Sequence, residues 1–458
     1  MEKKTLRQLA EIVGPEHLST ALSERSCVSY DGTGREYLPE AVVWPGTVEE
    51  VSRIMALALR QGVPVVARGA GSGMTGGALP VRGGLVLAMA RFKRIIEIDQ
   101  ANQTAIVEPG VVTGVLQAEV RRYGLFYPPD PASLKFCTIG GNVAEGAGGP
   151  SAVKYGVTRD YVKGLEVVMA DGRVIHTGVR TDKGVVGYDL TRLFVGSEGT
   201  LGIITKVILR LIPLPKARQT SLVVMDSMAA AASLVARILS GFTPCTLEFL
   251  DRTAIRIVAE LLPMPLPPGC EAILLLELDG TPQAVASEGE ELAGFLAQQP
   301  GVLLVRQAKD QEEVDRLWAA RRGVSPAAFK LRPHKMSEDV VVPRTAIPEL
   351  VACAEGLARE LDLVIFCFGH AGDGNIHVNI MFDREAPGQA AGAESAKHRL
   401  FARVIALGGT LSGEHGVGIT KSGSLGLELD PATIQVMRQI KEALDPANIL
   451  NPGKIFPD

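Results

Sequence analysis

Two of the chain's seven histidines fall within the string Gly369-His370-Ala371-Gly372-Asp373-Gly374-Asn375-Ile376-His377. An apolar stretch precedes it, its Asp-Gly-Asn centre favours a turn, and residues 376–382 read as a strand. A hairpin there would carry both imidazoles to its mouth on neighbouring strands, one way for two ligands of a metal ion to converge. Asp373 suits a third ligand and equally suits forming the turn. A lone histidine is more often a satisfied core residue, but two in one glycine-rich string point to chemistry. A second string, Ser412-Gly413-Glu414-His415-Gly416-Val417-Gly418, sets an acid beside an imidazole between glycines, which let backbone approach a ligand closely. Its bland reading is a surface turn. In extended backbone adjacent side chains point to opposite sides, so Glu414 and His415 are expected to face different partners.

The run Gly71-Ser72-Gly73-Met74-Thr75-Gly76 matches G-x-G-x-x-G and follows an apolar stretch at 63–67. A nicotinamide-dinucleotide site needs a helix to open directly after such a run. Here Gly77, Pro80, Gly83 and Gly84 follow, and proline with paired glycines disfavours that helix. The match is therefore a false positive for NAD. A long turn of successive exposed N–H groups remains a good anion nest, suited to a pyrophosphate. A second glycine-rich region, 132–160, contains TIGGNVAEGAGG.

The elements that must position these strings are partly visible. Residues 47–60 read as a helix, with Thr47 and Glu50 as a capping box and Val51, Ile54, Met55, Ala58 and Leu59 on one face. Strands are expected at 63–67, 85–89, 95–99 and 104–108, then an amphipathic stretch at 113–123 and a hairpin over 164–177 turning at Asp171-Gly172. Pro213 and Pro215 close the run IITKVILRLIPLP. Beyond it, Ala/Leu-rich helical segments alternate with apolar strands such as 272–278 and 363–368, an α+β domain with its own core. The expected divisions are an N-terminal helical segment (1–35), a first domain (36–215), a second (216–410) and a C-terminal segment (411–458). That last segment is too small to fold alone and should pack back on the others.

Composition excludes several classes. The 458 residues are 46% apolar and 21% charged, with fifty glycines that cluster, as ligand loops do. A net charge of -4 with interspersed signs argues against nucleic acid as a partner. The six cysteines include no C-x-x-C pair, so neither a disulfide framework nor an iron–sulfur or zinc-ribbon pattern is present. The N-terminal MEKKTLRQLAEIVG lacks a signal-peptide core, and no apolar run reaches the ~18 residues of a transmembrane helix. The protein is expected to be cytoplasmic, or at most peripheral to a membrane through a partner subunit.

ARGAGSGMTGGALP (67–80), PDPASLKFCTIGGNVAEGAGG (129–149) and LFVGSEGTLGIIT (193–205) resemble the FAD domain of the vanillyl-alcohol oxidase/p-cresol methylhydroxylase superfamily. The nearest branch holds the glycolate oxidase D-subunit, D-lactate dehydrogenase and D-2-hydroxyglutarate dehydrogenase. The likeness runs from about residue 20 to LNPGKIFP (450–457). It implies an α+β fold: a two-part FAD-binding domain over 36–215 and a substrate, or cap, α+β domain over 216–410. The segment 411–458 would then complete the active site. It further implies that Arg68, Gly69, Ala70, Gly71 and Ser72, with Thr75, Gly76 and Gly77, cradle the FAD pyrophosphate. Pro131, Ala132, Ser133, Thr138, Gly141, Asn142, Ala147 and Gly148 would line the flavin, and Glu198, Gly202 and Ile203 the adenosine side. Asn451 joins the cofactor-binding set. Some relatives bond flavin to His or Cys, but the first loop has no His, and Cys137 reads as a packed residue. FAD is therefore expected to be non-covalent.

By the same resemblance, His370, His377 and Glu414 hold a divalent metal (Zn, Fe or Mn) and His415 is the base. The string Leu317-Trp318-Ala319-Ala320-Arg321-Arg322 resembles the helix whose arginine meets the substrate carboxylate, placing Arg321 there, although two adjacent arginines leave the register open. Relatives acting on 2-hydroxyglutarate carry a lysine where this chain has Ser337, with Lys335 two residues away. A dicarboxylate substrate is thereby in doubt. The implied function is oxidation of a small D-2-hydroxy acid, D-lactate or glycolate, by hydride transfer to flavin N5. Electrons would pass to a separate acceptor, an electron-transferring flavoprotein or an iron–sulfur subunit. The alternatives are an oxidase using O2, a D-2-hydroxyglutarate dehydrogenase, or an idle flavin-bearing electron-transfer subunit. The His/Glu set argues against the last.

Overall fold

The helix expected after Thr47 spans Val48–Gln61, and in a computed structural model describing residues 1–457 the Thr47 hydroxyl accepts the N–H of Glu50 at 3.1 Å. The return half of the capping box is displaced by one residue: the Glu50 carboxylate accepts from Gly46 at 2.7 Å. We label this helix α2, after α1 (Lys3–Val13). Gly62 ends it in the left-handed conformation, at φ 61°.

By chain contacts the molecule divides into two units. The first comprises Met1–Gly148, Val157–Leu214 and the chain from Glu414 onward. It holds a four-stranded sheet of β1 (Leu18–Ser19), β2 (Ala41–Val43), β3 (Val65–Arg68) and β4 (Leu85–Ala88), in the order β1-β2-β4-β3. β2 and β3 run parallel to β4. Both faces of this parallel core are covered, which is why its strands are near-continuous apolar runs. On one face Ala41, Val43, Leu85 and Leu87 pack with Ile54 and Met55 of α2 and with Leu9 and Val13 of α1. On the other lie Val42, Val66 and Val86. The N-terminal helical segment thus shares this core and has none of its own. The tail enters the same core: Val65 N–H donates to Ile449 O at 2.7 Å and Asn451 N–H to Val65 O at 2.8 Å, extending the β3 edge.

The unit's second sheet is antiparallel, in the order β5-β6-β9-β7-β8. Its strands are β5 (Ile95–Asp99), β6 (Thr104–Val107), β7 (Val162–Val168), β8 (Val174–Gly178) and β9 (Ile203–Arg210). Burial along β9 alternates strictly over its first seven residues, as in a strand with one solvated face. The β7–β8 hairpin turns where Asp171-Gly172 predicted, with Gly172 at φ 88°. The second glycine-rich region contains a helix that the sequence reading missed, α3 (Ile139–Glu145), capped by the Thr138 hydroxyl. Its glycines disfavour helix. Gly140 is needed because a Cβ there would come 2.4 Å from the Pro109 ring.

The second unit comprises Pro215–Gly413 and, unexpectedly, Gly149–Gly156 from within the first domain's span. That short segment is held here by Lys154 and Tyr155, which donate to the buried Asp279 carboxylate at 2.6 and 2.8 Å. The unit is built on a seven-stranded sheet in the order β13-β10-β12-β11-β15-β16-β14. The strands are β10 (Ala217–Met225), β11 (Thr246–Asp251), β12 (Ala272–Gly280), β13 (Val302–Gln307), β14 (His334–Val341), β15 (Val364–His370) and β16 (Asn375–Phe382). All neighbours pair antiparallel. One face packs its main core, including Leu247, Phe249, Ile376 and Val378, against Ile347–Glu360 and Gln389–Ala406. The other meets α4 (Gln311–Ala327) through Leu317, Ala320 and Val324, and carries the polar residues described next. Among the described residues, no helix is long and apolar enough to cross a membrane.

Candidate active site

The first unit contains a cleft of about 1340 Å³, its open mouth included, walled by both glycine-rich regions. Arg68, Gly69, Ala70, Gly71, Ser72 and Gly77 form one wall. Pro131, Ala132, Ser133, Thr138, Gly141, Asn142 and Ala147 form another, and Glu198 and Gly202 line it as well. The two walls approach so closely that a Cβ on Gly69 would lie 2.3 Å from Thr138 Oγ1. The Arg68 guanidinium turns away into the protein. Its Nη2 donates to Tyr30 O at 2.7 Å and its Nη1 to Ala78 O at 3.4 Å, tying both ends of the loop, and burial lowers its pKa. Cys137 also lines the cleft, but it is buried with its Sγ 3.3 Å from Thr113 Oγ1.

Five residues of the expected cofactor set do not line the cleft: Thr75, Gly76, Gly148, Ile203 and Asn451. Ile203 is core, and its neighbour Ile204 faces the cleft instead. Thr75 braces the C-terminal loop, donating to His415 O at 2.9 Å and accepting from Ile419 N–H at 2.8 Å. Gly76, at φ 87°, leaves room for Ile419. Asn451 donates to Gly77 O and Glu198 O at 2.8 and 2.7 Å. Glu198, at φ 53°, spends its carboxylate on Val417 and Gly418 N–H, both at 2.7 Å. Burial raises its pKa. These contacts hold the stretch that carries Glu414 and His415 against the cleft, which both residues line.

Glu414 and His415 do not face opposite ways. Residues 412–415 are not a strand, and His415 Nε2 lies 3.8 Å from Glu414 Oε1. The premise of extended backbone fails in this glycine-rich stretch. Gly148 is required beside it, since a Cβ there would come 2.9 Å from Glu414 Oε2.

In the second unit, β15 and β16 form the expected hairpin, with His370 opposite Asn375 and Phe368 opposite His377. Both histidines are buried, their rings 5.2 Å apart and nearly perpendicular at 83°. Asp373 Oδ1 accepts the Asn375 N–H at 3.0 Å, the bond of a turn-former. Asp339, opposite His377 on β14, accepts the N–H of Gly413 at 2.9 Å, which anchors the residue before Glu414 beside the hairpin.

Arg321 is the inward member of its pair, because it shares the buried face of α4 with Leu317, Ala320 and Val324, while Arg322 is exposed. It lies over the Phe368 ring at 4.6 Å and pairs with Glu248, a residue that sequence reasoning missed. Glu248 is fully buried on β11 opposite His370 and bonds both Arg321 and His370 Nδ1. Burial alone would raise its pKa, but the Arg321 charge and the His370 contact outweigh that and lower it. A carboxylate amid the apolar run of 246–250 was the signal available. Further along the same face Ser337 donates to Asn379 Oδ1 at 3.0 Å, and the Lys335 ammonium donates to Ser325 Oγ at 2.7 Å.

Residues 39–178 match the family described as "FAD binding domain", and residues 214–455 match "FAD linked oxidases, C-terminal domain". This chain belongs to the FAD-linked oxidase family. Its relatives include the glycolate oxidase subunit GlcD of Bacillus subtilis (strain 168), 42% identical over 99% of this chain and 97% of the relative. D-lactate dehydrogenase of Anaerostipes hadrus is 35% identical over 91% and 89% of the two chains. The structure of p-cresol methylhydroxylase with substrate bound superposes with a TM-score of 0.82 at 20% identity, covering 99% of this chain and 96% of that one. That likeness places the oxidase in the p-cresol methylhydroxylase-type fold.

FAD fits the cleft of this oxidase. Loop glycines leave backbone bare along one wall, an anion nest suited to a pyrophosphate. A divalent metal fits the donor chemistry of the hairpin: two imidazoles whose rings meet edge to face, one already bonded through Nδ1 to a carboxylate, the usual outer support of a metal-binding histidine.

Proposed function

We propose that this FAD-linked oxidase converts a small D-2-hydroxy acid, D-lactate or glycolate, to its 2-oxo acid and passes the electrons to a separate acceptor protein. The observation that carries the reading is that Glu414 and His415 line the same cleft as both glycine-rich loops. The relatives named glycolate oxidase subunit and D-lactate dehydrogenase support the substrate class. Bound FAD would take up the substrate's two electrons, and a divalent ion on His370, His377 and Glu414 would supply Lewis-acid stabilisation of charge at the 2-oxygen. His415 would accept the hydroxyl proton. Arg321 would orient the carboxylate through the part of its guanidinium that Glu248 does not occupy. The word "subunit" in a relative's name and the scattered cysteines of this chain, which offer no iron–sulfur ligand set, support an external acceptor protein.

Anaerobic flavin bleaching by a panel of D- and L-2-hydroxy acids tests the reading. D-lactate or glycolate should reduce the flavin faster than D-2-hydroxyglutarate, and bleaching by none of the panel would overturn it. Lys335 favours a second reading. Its ammonium is turned inward, burial lowers its pKa, and its hydrogen-bond partner is a hydroxyl and not a carboxylate. A substrate with a second carboxylate could use it. In that case D-2-hydroxyglutarate is the faster substrate, and Lys335→Met removes its advantage while sparing D-lactate.

The flavin should also leave the protein intact on denaturation, since the cleft wall offers only the packed Cys137 as a thiol and no histidine on the first loop. Yellow colour that stays with the precipitated chain would show a covalent link and make Cys137 the suspect.

A further inference from the structure

We infer that Glu248 is a positioning residue: it fixes the His370 ring through a bond from Nδ1–H, so that Nε2 is the nitrogen offered to a metal, and Arg321 sets Glu248 to that task. Glu248 and His370 are register partners on β11 and β15, so their side chains are neighbours on one face of the sheet. The carboxylate is fully buried, where it is tolerated only if both oxygens are satisfied. The oxygens divide the work. Oε2 accepts from Arg321 Nε at 2.6 Å and from Nη2, and Oε1 meets His370 Nδ1. An ionised carboxylate only accepts, so the proton of this bond sits on Nδ1, and Nε2 is the ring nitrogen left to be offered to a metal. Arg321 is fixed from a second side by Phe368, whose ring is 4.6 Å from the guanidinium carbon and 5.2 Å from the ring of His377. One arginine thereby supports both hairpin histidines, one through Glu248 and the other through Phe368.

This deepens the proposed metal site and rests on it only for the metal-binding consequence. In E248Q the amide has one accepting and one donating end. Facing its oxygen to Arg321 spares the buried guanidinium, the costlier group to leave unpaired, so the NH2 end turns to His370. Nδ1 then becomes an acceptor, and the proton moves to Nε2. In E248Q/R321M the guanidinium's demand is gone, and the amide oxygen can return to His370.

The test uses purified FAD-loaded protein stripped of metal by a chelator. Histidine tautomers are read by nitrogen-15 NMR, and zinc affinity by competition with a chromophoric chelator. E248Q should show His370 in the Nε2–H form and bind Zn²⁺ roughly 10–100-fold more weakly, the usual effect of losing such an outer partner. Flavin content should be unchanged, and E248Q/R321M should regain the Nδ1–H form, a rescue that a merely structural role would not produce. An Nδ1–H His370 in E248Q, or zinc affinity equal to that of the unsubstituted protein, overturns the inference. If the unsubstituted protein takes no zinc, the metal reading falls by itself, and the tautomers still decide the role of Glu248.

Discussion

His377→Ala is expected to abolish turnover while leaving the FAD absorbance in place. His377 sits on β16 in the second unit and is no part of the cleft wall that fits the flavin. Its removal takes one of two hairpin imidazoles from the proposed metal set and leaves every cleft residue as it was. A catalytic metal supplies several kcal/mol of charge stabilisation, and ~4 kcal/mol corresponds to a rate loss of about 10³-fold. Metal analysis, the visible spectrum and steady-state assay on one preparation separate the effects: metal content and rate fall together while flavin per chain holds. The imidazole also packs on Phe368 at 5.2 Å, so circular dichroism is the control for folding. A folded variant that loses its flavin, or one that turns over near the normal rate, would show that the hairpin histidines do something else.

His415→Asn tests the neighbouring residue, and its expected signature is different. The backbone at this position is held by contacts that do not involve the imidazole. Thr75 donates to the His415 carbonyl, and Glu198 accepts from Val417 and Gly418. The substitution should therefore leave the loop in place, keeping a polar group of similar reach and removing the base. Metal content and substrate binding are expected to survive. The rate of anaerobic flavin reduction, followed by stopped flow, should fall by roughly 10²–10⁴, the contribution of a positioned general base. The 3.8 Å separation of His415 Nε2 from Glu414 Oε1 makes the opposite result informative. Loss of metal from His415→Asn would make His415 a ligand, and the base would have to be sought elsewhere.

Much of this was legible without coordinates where the signal is local. The Thr47 cap, the apolar face of α2, the Asp171-Gly172 turn and the histidine hairpin each depend on residues a few positions apart, within the reach of capping, periodicity and turn chemistry. The same holds for the false dinucleotide-site match, because Pro80 and the paired glycines at 83 and 84 disfavour a helix there and none forms. Where the sequence reading failed, the deciding partner was distant. The helix of 139–145 was missed because its glycines disfavour helix, and Gly140 is there because Pro109, some thirty residues away, packs against it. The lone acid in an apolar strand becomes the support of His370 only when β15 pairs beside β11 and α4 lays Arg321 across them. By itself the sequence determined the kinds of chemistry available and the turns that present them. Only the tertiary structure decided which donor each buried charge would meet, because an unpaired buried carboxylate or guanidinium is too costly to leave alone and its partner is chosen in space.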